Sequence, residues 1–73
     1  MPLVFTGHAL QRLKERGISR EDVESALNRP TGRTIPGEFG SIWVFGLDTK
    51  GRILKVCVAT DDRQRVITAV RPD

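Results

Sequence analysis

Cysteine is nearly missing from this chain. Cys57 is the only one, so no disulfide can form within it. A lone cysteine in an apolar run reads as a small buried hydrophobe rather than a reactive thiol. Histidine is as scarce: His8 stands far from Cys57 in sequence, and the two match no zinc spacing. The acidic pairs Glu21-Asp22 and Asp61-Asp62 are too few for a calcium loop. Neither a metal nor any other cofactor is expected. Long apolar runs are absent too. None approaches the roughly 18 residues of a membrane span. The apolar start, Met1-Pro2-Leu3-Val4-Phe5, is short and lacks the basic flank and cleavage site expected of a signal peptide. The expected location is cytoplasmic, with no membrane partner.

What is present fits one small domain spanning 1–73. A chain of this size buries only about 60% of the surface that it exposes when unfolded. Without a disulfide or metal, the expected extra support is a partner chain. Charge gives a further clue. Twelve Lys and Arg stand against nine Asp and Glu, a net +3, and nine of the twelve cations are Arg. The balance suits an anionic partner such as RNA, or equally a mildly basic surface.

Local signals divide the chain into helices first and strands later. Val4-Phe5 reads as a short strand or an apolar lead-in. Thr6 is a good N-cap for a helix from about Gly7 to Arg16, which Gly17 stops. Ser19 caps a second helix, with Asp22 three residues on as an acidic variant of the capping box. Val23, Ala26 and Leu27 form its apolar stripe, and Pro30 ends it at or before Arg29. Thr31 to Gly40, with three glycines and a proline, reads as a loop with a short edge strand at Arg33-Thr34-Ile35. Three strands follow: Ser41–Leu47, Arg52–Thr60 and Arg65–Val70. Turns at Asp48-Thr49-Lys50-Gly51 and Asp61-Asp62-Arg63-Gln64 make them an antiparallel meander. Leu54, Val56 and Val58 alternate on the face expected to meet the helices. Ile53, Lys55, Cys57 and Ala59 take the other, less dry one. The fold class is α+β, with two N-terminal helices on one face of a three- to four-stranded antiparallel sheet.

Two groups of residues are candidates for function. His8, Arg12 and Arg16 recur at i, i+4 and i+8, one stripe on the first helix. An imidazole can take a proton from a ribose 2′-OH. Guanidinium groups can hold the phosphate by a two-pronged donor geometry. That is what RNA cleavage without a metal requires. The same spacing is also ordinary on a solvated helix face. The second group is Lys55, Arg65 and Arg71, a possible basic patch on the open sheet face. Trp43 beside them reads either as core or as a base-stacking platform.

The run Phe5-Thr6-Gly7-His8-Ala9-Leu10-Gln11-Arg12, continued through Arg16-Gly17-Ile18-Ser19, resembles the opening of a widespread uncharacterised bacterial family. Glu21-Asp22-Val23, Ala26-Leu27, Pro30, Leu54-Lys55-Val56 and Val66-Ile67-Thr68 fit the same pattern. That family is similar to the BrnT and RelE toxins of toxin–antitoxin pairs. The resemblance implies a RelE/BrnT-like fold and an RNA-binding protein, as a metal-independent ribonuclease with His8, Arg12 and Arg16 at the motif positions. It further implies an antitoxin partner; the small core alone leaves a homodimer as the other association. The chain departs from RelE-type enzymes in having no tyrosine. The alternative function is a non-catalytic module that binds RNA or protein.

Overall fold

Thr6 and Ser19 open the two helices in the same way. Each sits in extended backbone, and its hydroxyl accepts an amide N–H from three residues on. Ala9 donates to Thr6 and Asp22 to Ser19, both at 3.0 Å. These contacts satisfy donors that a helix leaves unpaired in its first turn. Helix α1 runs Gly7–Arg16 and α2 runs Arg20–Asn28, in a computed structural model that describes residues 3–72. Gly17 ends α1 in the left-handed region at φ 65°. This lets Ile18 N–H reach back to the Leu13 carbonyl at 2.9 Å. Neither helix is long and apolar enough to cross a membrane.

The described residues form five strands: β1 Val4–Phe5, β2 Pro30–Pro36, β3 Ser41–Leu47, β4 Ile53–Ala59 and β5 Arg65–Val70. They form one sheet in the order β1-β5-β4-β3-β2. The pairs β2/β3, β3/β4 and β4/β5 are antiparallel, while β1 lies parallel to β5 through Val4↔Arg65 and Phe5↔Val66. Both helices pack on one face. Ala9 and Leu13 from α1, and Val23 and Ala26 from α2, meet Val44, Leu54, Val56, Val58, Val66 and Ala69 in a single core.

Helix α2 lies unusually close to β3. A Cβ placed on Gly46 would run into the Ala26 backbone, with the Ala26 Cα only 2.8 Å away. Only glycine permits that approach. Ser25 Oγ closes the contact by donating to the Leu47 carbonyl at 2.8 Å.

The expected three- to four-stranded antiparallel sheet is corrected on two counts, and the RelE/BrnT-like architecture attached to it is withdrawn. The sheet has five strands and is mixed. β1 has only two residues and earns its pairing from β5, at the far end of the sequence, which no local pattern shows. The segment 31–36 expected as mostly loop belongs to a seven-residue edge strand. Its prolines stand at its two ends, where a missing N–H costs little at an edge. A register irregularity between Pro30 and Thr34 accommodates Gly32. Cys57 and Ala59 are also buried, at 4% and 8% exposure, although they lie on the face away from the helices.

Candidate nucleic-acid interface

Strand alternation places Ile35, Trp43, Phe45, Lys55 and Cys57 on the helix-free face. The register aligns them in rows across the strands. One row runs Ile35↔Trp43↔Cys57↔Thr68, and the next runs Phe45↔Lys55↔Val70. Lys55 Nζ stands 4.6 Å from the centre of the Trp43 ring and 5.8 Å from that of Phe45. The Arg33 guanidinium lies over Phe45 at 4.8 Å. These cations explain why Phe45 is only 9% exposed with no helix above it. Trp43 and Lys55 remain half-buried. Each cation–ring contact contributes about 0.5–1 kcal/mol at a site open to water.

At the end of this face near the β2–β3 turn, two concavities adjoin. One of about 490 Å³ is lined by Trp43, Cys57, Glu38 and Phe39, among others. The other, also about 490 Å³, is lined by Arg65, Thr60 and Asp61. Phe39 and Ile67 line both. Arg65 is exposed, but it is well separated from Lys55 along the sheet: the β5 partner of Lys55 is Val70. The structure thus joins Lys55 to Trp43 and puts Arg65 at the far end of the same face.

Arg71, the remaining expected cation, is committed elsewhere. Its Nη1 donates to Asp48 Oδ2 at 2.7 Å, and its Nη2 lies 3.6 Å from Asp22 Oδ2. Asp48 has no exposure. It also accepts from the amides of Lys50 and Arg52, both at 2.9 Å, and from Arg52 Nε at 3.1 Å. Burial raises its carboxyl, but these donors outweigh burial and hold it well below the ordinary carboxylate value. Asp22 accepts from Thr49 Oγ1 at 2.6 Å and from Thr49 N at 3.1 Å. The Thr49 hydroxyl is the main reason its carboxyl is lowered too, against an opposing effect of burial. Sequence reasoning missed this network, having assigned Asp22 to a capping box. The signal available was the Asp-x-x-Gly turn, whose first residue commonly accepts from its own turn amides.

On α1, His8, Arg12 and Arg16 are all exposed. Arg12 Nε lies 3.4 Å from His8 Nε2, and Arg12 Nη1 lies 3.5 Å from Glu15. Arg16 turns the other way. Its Nη1 donates to Thr68 Oγ1 at 2.9 Å and to the Ala69 carbonyl at 3.0 Å, closing the outer edge of β5. The stripe is therefore divided into a His8–Arg12 pair and an Arg16 engaged with the sheet. The concavities described above are lined by other residues. Among the described residues, no three His, Cys, Asp or Glu side chains gather to hold a metal ion.

An α+β domain with one helix-covered and one open sheet face is the class that these observations define. The chain matches the domain of unknown function DUF4258 over residues 5–71 and belongs to that family. No curated protein and no solved structure matches it.

Proposed function

We propose that this chain is a single-stranded RNA-binding module that works through its open sheet face. The observation that carries the reading is the interleaving of Lys55 and Arg33 with the Trp43 and Phe45 rings. Single strands are held by this combination: an aromatic face, here that of the half-buried Trp43, takes an unpaired base, and neighbouring cations take phosphates. Duplex RNA offers neither free base faces nor a readable major groove. No catalytic step is assigned, because the His8–Arg12 pair lies on α1 and Arg16 is occupied by Thr68 and Ala69.

Fluorescence anisotropy of labelled single-stranded and hairpin RNA tests the reading, with DNA of the same sequence as a second arm, since base faces and phosphates are common to both. Three phosphate contacts, from Arg33, Lys55 and Arg65, give a slope of log K against log salt of about −2 on a single strand. Binding that ignores salt, or that favours the hairpin, would refute it.

A further inference from the structure

Phe39 is the one described residue other than glycine with positive φ, at 53°. Its side chain is fully exposed. Both features cost the fold: an L-residue rarely adopts that backbone, and a ring in water gains no burial. The turn that carries it is nonetheless pinned. Gly37 N–H donates to the Ser41 carbonyl at 3.0 Å, and Ser41 Oγ donates to the Glu38 carbonyl at 2.6 Å. The Gly40 carbonyl accepts from both Thr60 N and Thr60 Oγ1 at 2.9 Å. The ring is thus held out from the surface on a fixed frame. Its placement serves no contact within the core; it forms the wall that the two adjoining concavities share with Ile67.

We infer that Phe39 and Trp43 bound a subsite for one extruded nucleobase, and that this subsite makes binding depend on an unpaired base. The inference rests on the RNA-binding reading above. Each concavity is open to solvent and, at about 490 Å³, has room for a base and part of its ribose. The lining suits those two parts differently. Trp43, Phe39 and Ile67 offer apolar contact to a base. Glu38 also lines this concavity, and an ionised carboxylate accepts from the N–H groups of a base while disfavouring a phosphate there. Arg65, in the adjoining concavity, is the cation for the neighbouring phosphate, with Asp61 as the opposing charge there. A duplex cannot seat a base in this subsite without unpairing it.

Phe39→Gly is the decisive variant, because glycine accepts φ 53° and the fold keeps its stability or gains some. Affinity is measured for a decameric single-stranded RNA carrying one 2-aminopurine, for a hairpin of the same composition, and for inorganic polyphosphate. The expected result is about a tenfold loss on the single strand, loss of 2-aminopurine quenching, and unchanged binding of polyphosphate. Unchanged single-strand affinity in Phe39→Gly, with a loss in Lys55→Ala, would overturn the subsite and leave the wider interface standing. No binding of any oligonucleotide by the unaltered chain would overturn both. Concentration-dependent self-association in sedimentation, abolished by Phe39→Gly, would assign the ring to a protein contact and overturn the subsite.

Discussion

The Arg71 guanidinium donates to Asp48 at 2.7 Å and so ties the end of the last strand to a carboxylate sealed under the β3–β4 turn. Through Asp22 and Thr49 the same network holds that turn to the first turn of α2. Both carboxyls are lowered on folding. A carboxyl whose folded value is depressed adds stability above its unfolded value, and that stability is lost as pH falls. Urea unfolding midpoints should be level from pH 7 to about 5 and drop below the ordinary carboxyl value of 3.8. Asp22→Asn should start lower and lose less across the acid range. An unchanged acid profile in Asp22→Asn would show that its hydrogen bonds do not survive in solution.

Removing one partner from the network tests its geometry at neutral pH. Asp48→Asn keeps the size of the side chain but removes the charge facing Arg52 and Arg71. Arg71→Met leaves Asp48 with its two backbone donors and Arg52. Both should lower the melting temperature, Asp48→Asn by more, because its NH2 group replaces an oxygen that accepts two hydrogen bonds and so faces donors it cannot satisfy. Arg71→Met should leave RNA affinity intact, since its guanidinium is already engaged. A matched loss of RNA affinity would return Arg71 to the interface.

Gly46 gives a sharper test of packing. A methyl group there meets the Ala26 backbone, which no side-chain rotation can move. Gly46→Ala should cost about 2–3 kcal/mol in chemical denaturation, at the upper end for overpacking. A cost below about 0.5 kcal/mol would mean that α2 can slide away from β3.

The helices were legible because their determinants are local. Thr6, Gly17, Ser19 and Pro30 each act within four residues of the boundary they set. The meander was legible from alternation and turn residues, and Leu54, Val56 and Val58 do meet the helices. β1 was ambiguous and most of β2 read as loop, because two residues beside a distant parallel partner, and a strand bracketed by prolines, carry no periodic signal. The candidate site was legible by residue type but not by pairing. Lys55 and Trp43 come together, Arg71 does not join them, and Phe45 and Arg33 were never singled out. The polar network was hidden because Asp22, Asp48 and Arg71 are distant in sequence and individually resemble surface charges.

The α1 stripe separates a structural role from a chemical one. Arg16 makes two hydrogen bonds to the β5 edge, so Arg16→Ala should cost about 1–2 kcal/mol. His8 is exposed, and its only described contact is the long one from Arg12, so His8→Ala should change stability by less than about 0.5 kcal/mol. Incubation with single-stranded RNA, resolved on a denaturing gel, should leave the RNA intact for both the unaltered chain and His8→Ala. Cleavage by the first and not by the second would instead establish a metal-independent ribonuclease centred on α1.

The open face makes the most direct claim on RNA. Each unpaired base stacked on an aromatic ring contributes about 1–3 kcal/mol. Trp43→Ala should therefore weaken single-strand binding by roughly 5- to 150-fold while leaving the salt slope near its original value. Lys55→Ala should do the reverse: a smaller loss at physiological salt, with the slope reduced by about 0.7, the share of one phosphate contact. Trp43 is also the only tryptophan, so its emission reports the contact without a label. Saturating RNA should quench it in the unaltered chain and more weakly in Lys55→Ala at equal concentration. Emission that stays constant through a complete binding transition would place the RNA away from Trp43 and remove the sheet face as its site.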